Sequence, residues 1–141
     1  MVAAPRIADA LGLRAEAIPS PFDLIKRIEA GLPVAALNRI SALVAPHDAQ
    51  FKYRIVPKAT YGRRKAALKL SFEEGTRLAR LARVWELALD VWQTEKDARD
   101  FLFRPHPMLE DRAPIDLVIG SEIGGELVLD VLGGLKYGTA A

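Results

Sequence analysis

Ser71-Phe72-Glu73-Glu74-Gly75-Thr76-Arg77-Leu78-Ala79-Arg80-Leu81-Ala82-Arg83-Val84-Trp85 opens the longest helical pattern in the chain. Its first residues have the Ser-x-x-Glu spacing of a capping box. In that motif the serine hydroxyl and the glutamate carboxylate each satisfy a backbone amide that the first helical turn leaves free. Leu78, Leu81, Trp85, Ala88 and Trp92 then recur alternately three and four residues apart, which lays one apolar stripe along a helix. Glu73 stands four residues before Arg77 on a more polar side, close enough to pair with it. A long helix is expected here, as the spine of a C-terminal domain.

Downstream, Thr94 is placed to cap a further helix with Ala98, Phe101 and Leu102 facing inward, stopped by Arg104-Pro105-His106-Pro107. Pro114 to Gly120 reads as a short apolar connection. Ser121 then caps a last helix containing Ile123, Leu127, Val128, Val131 and Leu132. Gly133-Gly134 is expected to close that helix before a tail, Leu135-Lys136-Tyr137-Gly138-Thr139-Ala140-Ala141.

Upstream, Ser20 as N-cap and Pro21 at the first helical position open a helix with Phe22, Leu24, Ile25 and Ile28, ended by Gly31. Pro33 opens another, with Val34, Leu37, Ile40 or Ser41, and Val44 on one face until Ala45-Pro46-His47-Asp48. A short segment from Ala49 to Val56 leads to Pro57, and a fourth segment runs from Lys58 to Leu68. Short helices at this scale predict a helix-turn-helix domain. Strand signals are almost absent and no internal repeat is visible. The expected fold is therefore all-α: an N-terminal arm over residues 1–19, free to be flexible, a helix-turn-helix-like domain over 20–68, and a helical domain over 71–141.

Charge divides along the chain. Residues 1–51 carry five basic and five acidic side chains, residues 52–69 carry seven basic and no acidic ones, and residues 70–141 carry eight basic against thirteen acidic. The basic centre falls where a recognition helix would lie. Lys58, Thr60, Tyr61, Arg63, Arg64 and Lys65 are candidate DNA-binding residues: lysine and arginine neutralise phosphates, and Thr60, Tyr61 or Arg63 can reach base edges. A solvated linker helix is the competing reading of the same cluster.

Other chemistries find little support. The chain has no cysteine, which excludes thiolate zinc sites, disulfide scaffolds and cysteine nucleophiles. His106 lies near Asp111, Asp116 and Glu122, but the spacing fits no metal template, so a turn histidine that caps or packs is expected, and no metal or cofactor. His47 is read as a turn residue. Gly124-Gly125 and Gly133-Gly134 lack the preceding strand and spacing of a phosphate loop, and Gly124 and Gly125 suggest a close backbone approach instead. Trp85 and Trp92 are read as scaffold, because large aromatics at helical spacing are normally core. No membrane span and no signal peptide are visible, so a cytoplasmic protein is expected.

The runs Glu73 to Trp85, Phe101-Leu102-Phe103-Arg104-Pro105-His106-Pro107-Met108-Leu109, Pro114-Ile115-Asp116-Leu117 and Leu132-Gly133-Gly134-Leu135-Lys136-Tyr137-Gly138 together resemble the MbcA/ParS/Xre antitoxins of RES-Xre toxin-antitoxin pairs. Residues 20–68 are similar, more loosely, to the family's Xre-like N-terminal domain. The resemblance implies a protein that is not an enzyme. It would neutralise a RES-domain, NAD-consuming toxin by occluding the active site with its C-terminal helix and tail. It implies toxin-binding roles for Gly133, Leu135, Lys136, Tyr137 and Gly138, and operator binding as a homodimer. Where members often carry arginine, this chain has Gly134. Two rivals remain open: a DNA-binding transcription regulator whose second domain only dimerises, and a small helical enzyme using His106.

Overall fold

The computed structural model describes residues 2–138, and among them the chain forms eight α-helices and no strand: α1 (Ala4–Ala10), α2 (Pro21–Ala30), α3 (Val34–Val44), α4 (Lys58–Ala67), α5 (Phe72–Trp92), α6 (Glu95–Phe103), α7 (Pro114–Gly120) and α8 (Glu122–Tyr137). Short 3-10 turns occupy Ala15–Ala17, Phe51–Arg54 and Pro107–Leu109. The capping chemistry read from the sequence is in place. Ser20, Ser71, Thr94 and Ser121 each accept a hydrogen bond from the backbone N–H three residues on, and at Ser71 the Glu74 carboxylate completes the box by accepting from the Ser71 N–H at 2.8 Å.

α5 is the hub, and α1, α2, α3, α6, α7 and α8 all pack on it. Its buried set is wider than the expected stripe: Leu78, Ala79, Leu81, Ala82, Val84, Trp85, Leu87 and Ala88 leave little of the middle of the helix facing water. A helix apolar on most sides is one that other elements surround. The buried hydrophobic residues accordingly form one continuous cluster running from Val2 to Leu132. Trp85 is fully buried, while Trp92 is half-buried with its ring 5.7 Å from that of Phe101.

Two backbone hydrogen bonds lock the N-terminal half onto α5. The Leu70 N–H donates to the Leu32 carbonyl at 2.8 Å and the Val34 N–H to the Leu68 carbonyl at 3.3 Å, joining the α2–α3 turn to the α4–α5 connection. α1 is also part of the core, so the segment expected as a flexible arm over residues 1–19 is instead packed: Ala4, Ile7, Ala8 and Ala10 are buried, with Leu11 and Ile18 after them, and the helix lies against α5.

Three further sequence expectations need correction. Pro114–Gly120 is a helix, not a connection: Pro114 fills the first helical position, and Pro114, Ile115, Leu117 and Val118 are buried. Two turns with no side-chain cap give too short a period to read from sequence alone. Gly133-Gly134 does not close the last helix, which continues to Tyr137 and ends at Gly138 with φ +69°. Glycine inside a helix costs about 1 kcal/mol against alanine, and burial of Val131 and Leu132 together with the hold on Lys136 described below offsets it. The left-handed turn at Gly138 is what ends the helix. Thr139, Ala140 and Ala141 of the expected tail lie outside the described residues. Lastly, Phe22 and Ile25 face solvent, and only Leu24 and Ile28 of the α2 set are buried.

The close approach suggested by Gly124-Gly125 is present. A Cβ on Gly124 would collide with the Leu117 carbonyl in the preceding helix, and one on Gly125 would lie 2.6 Å from the Arg80 side chain. The same atom on Gly133 meets open space. Gly124→Ala is therefore expected to lower stability by about 1–3 kcal/mol through overpacking against backbone that cannot step aside. Gly133→Ala should instead leave stability unchanged or raise it by up to about 1 kcal/mol. Urea denaturation of both variants checks this, and equal effects at the two positions would contradict the packing described.

Two candidate interaction surfaces

The first surface is built around α4, a helix with no buried residue. Two side chains hold it to the body. The Tyr61 ring packs edge-on against Tyr53 at 5.6 Å, and its hydroxyl donates to Asn38 Oδ1 of α3 at 3.3 Å. Arg64 Nε donates to Glu74 Oε1 at 2.8 Å, so the carboxylate that caps α5 also anchors α4. Glu74 is one of the few buried polar side chains. Burial opposes its charge, but the Arg64 hydrogen bond, the Ser71 amide and the nearby guanidinium outweigh that penalty and hold its carboxyl below the usual glutamate value.

The basic run between Lys52 and Lys69 thus divides into two kinds. Arg54 pairs with Asp116 of α7 at 2.6 Å and Arg64 with Glu74, whereas Lys52, Lys58, Arg63, Lys65 and Lys69 form no ion pair among the described residues. Lys52 Nζ lies 4.6 Å from the centre of the Tyr61 ring and 5.4 Å from that of Tyr53, and Lys58 Nζ lies 5.8 Å from the latter. Of the sequence candidates, Lys58, Arg63 and Lys65 are exposed, Thr60 and Tyr61 are half-buried, and Arg64 is engaged. Asn38 and Lys52 join them only in three dimensions. Lys52 belonged to the basic run, but nothing in the sequence pointed to Asn38, which lies twenty-three residues before Tyr61. α2 and α3 are joined through the short turn Gly31-Leu32-Pro33, each packs on α5, and α3 spends most of its surface on the core.

The second surface lies along α8. Ile123, Leu127 and Tyr137 are exposed, Ile123 and Tyr137 by 74% and 64%. Successive helical residues turn by about 100°, so Gly133 and Tyr137, one turn apart, share a side. They line a groove with Val2, Leu87, Glu126 and Asp130. Leu135 points nearly opposite, into a depression with Trp92, Phe101, Arg104 and His106. Lys136 reaches back to α5, where its Nζ lies 3.1 Å from Asp90 Oδ2. The expected toxin-binding residues are therefore not a single extended plug: one helical turn divides them among three directions. His106 itself caps the 3-10 turn, its Nδ1 accepting from the Met108 N–H at 3.2 Å while its ring packs edge-on against Phe101.

Residues 23–83 match the family model for the antitoxin Xre-like helix-turn-helix domain, and residues 87–138 match that for the antitoxin Xre/MbcA/ParS C-terminal toxin-binding domain. The chain belongs to the Xre/MbcA/ParS antitoxins. No individual curated protein matches it. This antitoxin joins a helix-turn-helix domain to a toxin-binding domain, and the first match ends and the second begins inside α5. The basic α4 lies within the first matched stretch and the exposed end of α8 within the second. α1 lies in neither.

The seating of α4 should depend on pH through Glu74. A folded-state value below the unfolded one means the carboxylate stabilises the fold fully above about pH 4.3. That contribution is lost as pH falls through the lower, folded value. Glu74→Gln is expected to cost about 1–3 kcal/mol at pH 7 by removing a charge-assisted bond and to flatten the acid limb of stability against pH. Thermal melts of both proteins between pH 3 and 7 test this, and parallel curves would count against the Glu74–Arg64 anchor.

Proposed function

We propose that this antitoxin neutralises a RES-domain toxin that consumes NAD, by lodging the end of α8 in the toxin's active-site cleft. It also binds operator DNA as a homodimer and so regulates its own operon. The RES-domain partner and its NAD chemistry rest on the resemblance carried by the runs around Trp85, His106, Pro114 and Gly134. In this reading residues 20–68 are the DNA-binding unit and 71–141 the toxin-binding unit, and residues 1–19 are an N-terminal segment whose helix α1 packs on α5. The protein works in the cytoplasm, needs no cofactor and carries no catalytic residue of its own. Among the described residues no helix is long and apolar enough to cross a membrane.

The observation that carries the toxin half is the outward side of α8 within the toxin-binding match. Tyr137 stands exposed at the helix end, and Gly133, one turn before it, has open space where a side chain would be. A tyrosine offers a stiff amphipathic anchor, and a glycine beside it lets a cleft wall approach the backbone. Leu135, Lys136 and Gly138 shape the same turn. For the DNA half, Lys58, Thr60, Arg63 and Lys65 meet the duplex, while Tyr61 and Arg64 hold α4 in place. A two-fold dimer would set two such helices about 34–36 Å apart, one helical turn of DNA.

Co-expression with the partner toxin should give a complex that co-purifies, and cellular NAD should fall only when the antitoxin is absent. Tyr137→Ala is expected to weaken the complex about 30-fold, the effect of losing about 2 kcal/mol at a binding hot spot, with the melting temperature unchanged. A chain that binds operator DNA but no toxin would instead be a transcription regulator whose second domain dimerises. On the DNA side, replacing Arg63 or Lys65 by glutamine should reduce the slope of log affinity against log salt by about 0.9 for each phosphate no longer neutralised. An unchanged slope would remove that residue from the interface.

A further inference from the structure

One carboxylate ties the two ends of the chain together. Arg6, on α1, donates from Nη1 to Asp90 Oδ2 and from Nη2 to Asp90 Oδ1, both at 2.9 Å, in a two-pronged grip. Its Nε and Nη2 also reach Glu86 Oε1, one turn earlier on α5, at 3.2 and 3.0 Å. Lys136, in the last turn of α8, places its Nζ 3.1 Å from the same Asp90 Oδ2 that Arg6 holds. Exposed single ion pairs contribute little, but forked arginine geometry and several charges acting together are the cases in which they count. The Asp90 and Glu86 side chains are only 23% and 16% exposed. The Arg6 hydrogen bonds, with Lys136 adding to them, hold the Asp90 carboxyl below the usual aspartate value, consistent with a carboxylate that serves two cations.

The turn that this grip reaches is a weak one. Gly133 and Gly134 sit in it, and glycine is a poor helix former because it loses most backbone freedom on folding. Lys136 is flanked by the residues that face outward. Fixing its direction toward α5 fixes the rotation of the turn, and with it the side on which Gly133 and Tyr137 emerge.

We infer that Asp90 is a positioning residue for the toxin-binding end of α8, and that α1 belongs through Arg6 to the toxin-binding unit although it lies outside both matched stretches. This rests on the reading above, in which residues 133 to 138 meet the toxin. Lys136 then acts first as the inner pin of that turn, keeping its ammonium on Asp90. The antitoxin presents a pre-ordered helix end, so less ordering remains to be done on binding.

Amide hydrogen exchange on the full chain, without toxin, tests the pin directly. Asp90→Asn, which keeps the shape and removes the charge, and Lys136→Met should each speed exchange of the amides at 135 to 138 about tenfold. The two together should do no more than either alone, while exchange in the middle of α5 stays as in the parent. Arg6→Gln should act in the same direction, more weakly, and Lys136→Arg should retain protection. Wild-type exchange in Asp90→Asn would overturn the inference, and so would acceleration spread evenly over the whole chain.

Affinity for the purified cognate toxin is the second readout. Asp90→Asn is expected to weaken it about tenfold, with Tyr137→Ala as the comparison. If Tyr137→Ala weakens binding and Asp90→Asn does not, the positioning role is overturned while the toxin-contact reading stands. If neither changes affinity although exchange accelerates, the toxin-contact reading itself fails, and the positioning role fails with it.

Discussion

A helix of 21 residues with apolar side chains on most of its circumference cannot rest against a single partner layer, and every other arrangement in this antitoxin follows from how α5 is covered. Its middle, from Leu78 to Ala88, is buried by helices drawn from both ends of the chain. The hydrophobic effect rewards this covering without specifying direction. What orients the covering helices is a set of polar contacts along α5: Arg80 and Arg83 in its middle hold the Val118 carbonyl, Glu122 and Glu126 of α7 and α8, and Glu74 and Asp90 act near its ends. The two functional halves therefore share a hub, and the boundary between the matched domains falls inside a continuous helix.

Two carboxylates on that hub do comparable work. Glu74, in the first turn, caps α5 and anchors the basic α4 through Arg64. Asp90, near the last turn, anchors the end of α8 through Lys136 and α1 through Arg6. They are sixteen residues apart, about 24 Å along a helix, so α4 and the end of α8 are seated at opposite ends of one rod. Neither α4 nor the last turn of α8 has enough buried apolar surface to hold itself. α4 buries no residue, and the α8 turn contains two glycines. Charge pairing to the hub substitutes for packing at both places.

The division of the basic residues has the same origin. A run of seven bases without an acid looks uniform in sequence, yet Arg54 and Arg64 are drawn to Asp116 and Glu74, while Arg63 and the four lysines form no ion pair among the described residues. Arginine's planar fork suits it to such fixed partners, and lysine's compact ammonium stays hydrated or rests on an aromatic ring, as Lys52 does on Tyr61. On α4 this leaves Lys58, Arg63 and Lys65 as exposed cations that form no ion pair among the described residues.

Local chemistry made much of this legible from the sequence alone. The caps at Ser20, Ser71, Thr94 and Ser121, the stripe through Trp85 and the close approach at Gly124 depend on residues a few positions apart, and all stand in the structure as read. The antitoxin family was legible too, because several ordered motifs had to agree. α7 escaped notice because two turns without a side-chain cap leave no period to detect, and the last turn of α8 because glycine's local cost was outweighed by distant contacts. The tertiary structure alone decided that Arg64 and Lys136 are anchors, that Asn38 meets Tyr61, and that α1 and the end of α8 share the Asp90 carboxylate. Each of those contacts joins residues far apart in sequence or on different elements, and only the packing around α5 brings them within hydrogen-bonding distance.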